Sequence, residues 1–150
     1  MTPAETTAHH EAGHALCYWH FGDRIRSIEL FGAGHGIMRG LYQVSRTTPF
    51  RDALRSLCGP AAEFAVSGSI SRAHCRTDLA RAERCARHAG LRLEQVWPMA
   101  QRLVARYQDD IAIVAEALLR RGQLNGGAVE RLIGGPCGTP CRPAIRSSDI

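Results

Sequence analysis

The clearest chemical pattern in this chain lies near its beginning, where His10, Glu11 and His14 form the sequence His-Glu-x-x-His. On a helix, residues four apart lie about 40° apart in azimuth and about 6 Å apart along the axis, so both imidazoles can bind one metal ion. Neutral imidazole nitrogens suit Zn²⁺. Glu11 lies one step round the helix from His10, so its carboxylate misses the metal but reaches a water bound there. The spacing predicts a zinc-activated water with Glu11 as general base.

Two histidines leave such a site one protein ligand short, and four side chains further along the chain are candidates. Glu63 lies in an alanine-rich segment, as a glutamate on a second helix would in a thermolysin-like site. Asp78 follows Thr77 at a predicted helix start. Cys75 would bind zinc as a thiolate but would weaken the Lewis acid, and His74 precedes it. The residue types alone leave these four open.

Three segments, which follow one another in a set order along the chain, narrow the choice of the third metal ligand. Residues 8–16 are Ala-His-His-Glu-Ala-Gly-His-Ala-Leu, residues 57–64 are Leu-Cys-Gly-Pro-Ala-Ala-Glu-Phe, and residues 77–82 are Thr-Asp-Leu-Ala-Arg-Ala. Together they resemble the FtsH-type peptidase domain, the zinc protease half of the membrane-bound AAA+ proteases. The second and third segments resemble its Leu-Gly-Gly-Arg-Ala-Ala-Glu and Asn-Asp-Leu-x-x-Ala-Thr segments. Residues 115–126 resemble its closing helix and turn, so the similarity spans about residues 6–133.

The resemblance implies a zinc peptidase and assigns the ligands. The family's third zinc ligand is the aspartate that corresponds to Asp78, so zinc is expected on His10, His14 and Asp78. Glu63 is then the runner-up ligand, or a carboxylate that orients a ligating imidazole. The chain departs from the family at Cys58 and Pro60, where the family has glycine and arginine.

The composition indicates one ordinary globular domain. The 150 residues are 45% hydrophobic and 22% charged, which excludes a disordered, collagen-like or fibrous chain. The net charge of +5 comes from scattered arginines without a basic block, so nucleic-acid binding is the weakest hypothesis considered. Cys17 and Cys58, among apolar neighbours, are expected to be buried free thiols. The polar start and the short apolar runs predict neither a signal peptide nor a membrane span, and hence a cytoplasmic protein.

Hydrophobic periodicity predicts a mainly helical chain with a small β-hairpin or sheet after the His-Glu-x-x-His helix. Strands are expected over residues 25–31 and 37–44, around a glycine-rich turn. Helices are expected over residues 7–21, 48–66, 77–89, 93–119 and 125–133. Thr6 or Thr7 is expected to cap the first helix and Thr77 the third. Gly59-Pro60 predicts a kinked second helix or two short ones.

These observations predict a mainly α (α+β), helical zincin-like peptidase domain over residues 1–133, followed by a flexible Gly/Pro/Cys-containing tail over residues 134–150. Cys137 and Cys141 in that tail are interpreted as inert, with a metal or disulfide pair as alternatives.

The expected activity is zinc-dependent cleavage of peptide bonds in unfolded or flexible proteins. It needs no ATP in itself, because the sequence contains no ATPase module, although a separate ATPase or a homo-oligomer could cooperate with it. An exposed hairpin edge could hold the peptide as an added strand. The alternative is a catalytically silent zinc-binding module that acts as a regulator or adaptor.

Overall fold

The computed structural model describes residues 1–31, 35–41 and 47–133. These residues form a mainly helical fold with one small antiparallel sheet, which confirms the coarse fold prediction. The elements, in chain order, are α1 (Pro3–His20), β1 (Arg24–Leu30), β2 (Gly36–Leu41), α2 (Pro49–Ser67), α3 (Arg76–His88), α4 (Leu93–Arg106), α5 (Gln108–Arg121), β3 (Gln123–Asn125) and α6 (Gly126–Ile133). The predicted tail with Cys137 and Cys141, and the end of the second predicted strand, lie outside the described residues.

The first helix begins earlier than its periodicity indicates. Thr2 is its N-cap and accepts a hydrogen bond from the backbone N–H of Glu5, whose carboxylate accepts one from the N–H of Thr2 in return. Pro3 occupies the first turn, where its missing N–H costs nothing. This capping box makes the prediction of Thr6 or Thr7 as the cap wrong. The polar segment before the apolar stripe is helical because its end is capped.

Helix α1 is the centre of the fold and carries the His-Glu-x-x-His motif through the core. It packs against α2, α5 and both long strands, and its residues from Thr7 to Trp19 are buried except His9. A side chain at Gly13 would place its Cβ only 2.6 Å from that of Ala62 on α2. The two helices therefore approach each other more closely than any larger residue there permits.

Helix α2 is one continuous helix, so of the two predicted alternatives the single helix is observed. Thr48 caps it by accepting the N–H of Arg51 at 3.2 Å, and Gly68 ends it in the left-handed region at φ 72°. Gly59 and Pro60 both lie inside it and are buried.

Helix α3 begins at Arg76, with Cys75 in the N-cap position and no side-chain capping bond. Thr77 lies within the first turn, so its prediction as the cap is wrong. Asp78 also lies in that turn, where the helix dipole favours a negative charge.

The predicted long helix over residues 93–119 is wrong, because α4 and α5 are separate helices that meet at Tyr107. The backbone of Tyr107 leaves the helical region at φ −114° and ψ 21°. Its ring packs edge-on against Trp19 with centroids 5.9 Å apart, and its hydroxyl is hydrogen-bonded to His20 Nδ1 at 3.0 Å. Both helices have buried apolar residues, which is why the sequence shows an apolar stripe on each side of the break.

The sheet has the order β2-β1-β3, with all neighbours antiparallel. Strand β1 is central, and Ile28 pairs with Met38 on one side and Leu124 on the other. Strand β3 was not predicted, because three residues are too few to show an alternating pattern. The order leaves β2 at one edge of the sheet.

Cys17 and Cys58 are buried free thiols, as predicted. Among the described residues, no helix is long and apolar enough to cross a lipid bilayer.

Candidate metal centre

The structure brings together three of the side chains that the sequence singles out. Helix α1 presents His10 and His14 one turn apart, and the first turn of α3 brings Asp78 to them. His10 Nε2 lies 3.1 Å from His14 Nε2 and 3.1 Å from Asp78 Oδ2. His14 Nε2 lies 3.4 Å from the same carboxylate oxygen. These three atoms could hold a metal ion.

Their spacing matches the edges of a small coordination polyhedron. Ligand atoms about 2.0–2.1 Å from a tetrahedral zinc ion lie about 3.3–3.4 Å from one another. The three observed separations, 3.1, 3.1 and 3.4 Å, are close to that value. Two imidazole nitrogens and one carboxylate oxygen are also a donor set that zinc accepts. The residues present therefore fit a zinc ion in both chemistry and size.

The ring of His14 is fixed from behind by the backbone of α2. Its Nδ1 donates a hydrogen bond to the carbonyl oxygen of Arg55 at 2.7 Å. Because a carbonyl can only accept, the proton of a neutral His14 lies on Nδ1 and the lone pair on Nε2, where a metal would bind. Gly59 makes room for this ring, since a Cβ there would lie inside van der Waals contact of the imidazole.

The ring of His10 is fixed in the same way by Glu63. His10 Nδ1 donates to Glu63 Oε2 at 3.1 Å, on the side of the ring away from Asp78. Burial raises the pKa of Glu63, but hydrogen bonds from His10, the backbone N–H of Ser71 and Cys75 lower it to about 2. Glu63 is therefore an ionised acceptor that orients His10, and it does not join the three clustered atoms.

The charges around His10 favour a cation at this point. Burial works to lower the pKa of His10, but hydrogen bonds to Asp78, Cys75 and Glu63 outweigh it and hold that pKa well above 6.5. Burial likewise raises the pKa of Asp78, but hydrogen bonds from His10 and His14 hold it well below 3.8. Both carboxylates are ionised, and they stabilise positive charge at His10 whether a proton or a metal ion supplies it.

Glu11 lies beside this cluster under the start of β2. Its side chain is buried, and a Cβ at Gly36 would lie 2.7 Å from Glu11 Cγ and 3.1 Å from Oε1. Gly36 thus lets the edge strand pass directly over the carboxylate. Within the described part of the chain, no hydrogen bond ends on that carboxylate, which leaves it able to accept a proton.

A small cavity of about 100 Å³ gives access to the clustered donors. His14 and Asp78 form part of its wall, together with Arg81 of α3 and Met38 of β2. The edge strand and the donor atoms therefore share one opening.

The remaining candidate ligands gather on the other side of the His10 ring. Glu63 Oε2 lies 3.3 Å from His74 Nδ1 and 3.3 Å from Cys75 Sγ. Cys75 Sγ lies 3.8 Å from His10 Nδ1. The four residues could also hold a metal ion, so the structure sorts the candidates into two groups that share His10.

Sequence reasoning missed three contributions to the site. The Arg55 carbonyl and the Ser71 N–H are backbone groups, which no residue pattern reveals. Gly59 had a signal, because a glycine inside an apolar helical pattern can indicate close approach of another group. With Pro60, it instead predicts a kinked helix or two short ones.

Comparison with known proteins does not assign this chain to a family. No protein-family model matches this chain, and no curated protein matches it significantly.

Proposed function

We propose that this protein is a zinc-dependent metalloendopeptidase with a zincin-like fold similar to the FtsH-type peptidase domain. The observation that carries the proposal is the convergence of His10 Nε2, His14 Nε2 and Asp78 Oδ2 within 3.1–3.4 Å, beside the buried Glu11. His10, His14 and Asp78 would hold the zinc ion. Glu63 and the Arg55 carbonyl would keep the two imidazoles in the ligating tautomer.

The chemistry divides between the metal and Glu11. When bound, zinc supplies a Lewis acid that polarises the scissile carbonyl and lowers the pKa of an attacking water. Glu11 accepts the proton of that water and later delivers it to the leaving amine. Its buried position beside Gly36 keeps bulk water from competing for that proton.

The substrate would lie along β2. Strand β2 is at the edge of the sheet, and an extended peptide can pair with such an edge through main-chain hydrogen bonds. Met38 of this strand borders the cavity at Asp78. A larger cleft of about 670 Å³ is lined by Leu79, Leu93 and Trp97, with Arg72, Arg76 and Glu94 also in its lining, and its apolar side chains suit apolar substrate groups. Both features favour extended segments of unfolded proteins as substrates.

The test is Glu11→Gln in the zinc-loaded protein, with a fluorescently labelled unfolded protein such as casein as substrate. We expect kcat/KM to fall by about 10²–10⁴-fold, because removing a general base typically costs that much. Zinc content and melting temperature should not change, since glutamine keeps the shape of glutamate and Glu11 is not a ligand.

The matched control is Glu83→Gln, at an exposed glutamate of α3, which should cleave at the parent rate. Cleavage at the parent rate by Glu11→Gln would rule out the mechanism. A zinc-loaded parent that cuts neither casein nor a library of labelled peptides would contradict the activity itself and favour the silent binding module.

A further inference from the structure

A second group of metal-binding side chains lies behind His10, apart from the proposed catalytic ligands. Glu63 from α2 and Cys75 at the start of α3 are fully buried, and His74 beside them is about 20% exposed. Glu63 Oε2 lies 3.1 Å from His10 Nδ1, 3.3 Å from His74 Nδ1 and 3.3 Å from Cys75 Sγ. All four donor atoms lie within 4.8 Å of one another.

Orientation of His10 needs only one of these groups. A single carboxylate oxygen suffices to hold the Nδ1 proton, and Glu63 supplies it. His74 and Cys75 converge on the same oxygen from two other directions, which that role does not require. One sulfur, two imidazole nitrogens and one carboxylate oxygen are typical ligands of zinc and related thiophilic cations.

The spacing also suits an ion. With metal–sulfur bonds of about 2.3 Å and metal–nitrogen or metal–oxygen bonds of about 2.0–2.1 Å, tetrahedral ligand atoms lie about 3.3–3.6 Å apart. Four of the six separations run from 3.1 Å to 3.8 Å around that range, and all six lie within 4.8 Å. His74, the partly exposed member, gives a cation a way in from solvent.

We propose that Glu63, His74 and Cys75 form a second site for a thiophilic divalent cation such as Zn²⁺ or Cd²⁺, with His10 Nδ1 as the fourth donor. Binding there displaces the thiol proton of Cys75, which leaves to solvent. This site goes beyond the proposed peptidase function, because none of these three residues is a ligand of the proposed catalytic zinc.

The proposed catalytic zinc site and the second cation site compete for the imidazole ring of His10. A neutral imidazole has a single lone pair, so His10 can donate it at Nε2 or at Nδ1 but not at both. A cation on Nδ1 also takes the place of the hydrogen bond to Glu63 that keeps Nε2 available. Loss of the His14 and Asp78 ligands should therefore strengthen the second site, and a filled second site should weaken the first.

The experiment is a cadmium titration of the metal-free full chain carrying Cys137→Ser and Cys141→Ser, which removes the thiols of the C-terminal segment. The ultraviolet charge-transfer band of a cadmium-bound thiolate reports sulfur ligation directly. We expect the intensity of one thiolate per chain. The band should disappear in Cys75→Ser and persist in Cys85→Ser, the matched control at a half-buried free thiol of α3.

Two further variants test the sharing of His10 and guard against misfolding. In His14→Ala/Asp78→Ala the band should remain and saturate at lower cadmium concentration. His74→Ala should shift saturation to higher cadmium. If Cys75→Ser fails to fold, cadmium NMR of the Cys137→Ser/Cys141→Ser parent gives the same answer, because a sulfur-bound ion resonates far from one bound by nitrogen and oxygen.

The absence of a thiolate band in both the parent background and His14→Ala/Asp78→Ala would overturn the second site. So would a band that survives Cys75→Ser. Neither result touches the peptidase proposal, which depends on Glu11-dependent cleavage by the zinc-loaded protein. Conversely, a Cys75-dependent band in a protein without peptidase activity would leave the second site standing alone.

Discussion

The two helices that supply the clustered donors are held in different ways. Helix α1, with His10 and His14, has twelve of its eighteen residues buried. Helix α3, with Asp78, has only Ala82 and Ala86 buried among its thirteen residues. The histidine pair is therefore positioned by core packing, whereas Asp78 arrives on a peripheral helix.

Glu63 joins these two regions. Its Oε2 accepts from His10 on α1, and its Oε1 accepts the N–H of Ser71, in the loop before α3, at 2.7 Å. Because α1 is largely buried and α3 is not, we expect substitutions in α1 to disturb both folding and the metal centre. Changes in α3 should instead alter metal binding with less effect on global stability.

The largest expected effect comes from the contact between α1 and α2. Gly59→Ala places a methyl group inside the space of the His14 ring. Overpacking of this kind costs about 1–3 kcal/mol, so we expect the free energy of unfolding in urea to fall by that amount. Zinc affinity should fall with it, because the ring must leave its bond to the Arg55 carbonyl.

The control is Gly127→Ala on α6, where a Cβ meets only side-chain atoms at 3.5 Å and 3.6 Å. There, alanine should stabilise the helix by about 0.5–1 kcal/mol. If Gly59→Ala is as harmless as Gly127→Ala, the histidine pair is not positioned by core packing.

An intermediate effect is expected where Glu63 links the regions. Its pKa in the folded protein, about 2, is lower than its ordinary value of 4.5. The carboxylate therefore stabilises the fold at pH values above 4.5, and this contribution is lost as the pH falls toward about 2. Urea unfolding of the metal-free protein across that range should show the decline.

In Glu63→Gln the decline should be shallower but not absent, because Asp78 also has a lowered pKa. Above pH 4.5, this variant should be less stable than the parent by about 1 kcal/mol, since the buried donors exchange an ionised acceptor for a neutral one. An unchanged pH slope would show that Glu63 does not join the two regions energetically.

The smallest expected effect tests whether α3 opens by itself. Ala80→Gly, at an exposed alanine of α3, lowers helix stability by about 1 kcal/mol. Hydrogen exchange of the α3 amides should accelerate about fivefold, which is what 1 kcal/mol of easier opening gives, while exchange in α1 stays the same. The control is Ala112→Gly on α5, an exposed alanine with the same propensity cost. Equal acceleration in α1 and α3 would contradict local opening.

The same contrast shows what the sequence could predict. The periodic patterns predicted helix in all six helical segments but joined α4 and α5 into one. The motif spacing singled out His10, Glu11 and His14. The prediction of Asp78 as the third ligand depended on the family resemblance, because the residue types alone left four candidate ligands. Local patterns were sufficient for the helices and the motif but not for the helix starts, where Thr2 and Cys75 occupy the N-cap positions.

Long-range contacts decide what the sequence could not predict. The break at Tyr107 depends on packing against Trp19 and His20, and the short strand β3 depends on pairing with β1. The division of the candidate ligands between the two sides of His10 depends on where α3 lies against α1. None of these features leaves a periodic signal in the chain.

The most direct test of the metal centre is the zinc content of the purified protein, measured by mass spectrometry beside Asp78→Ala, with Asp109→Ala as the control. All three proteins carry Cys75→Ser, so that the second group of donors cannot retain the ion. About one tightly bound zinc ion per chain is expected in the parent and in the control, as for a site with three protein ligands. Asp78→Ala should lose it on gel filtration. No zinc in the parent after reconstitution, or equal retention by Asp78→Ala, would contradict a zinc centre of His10, His14 and Asp78.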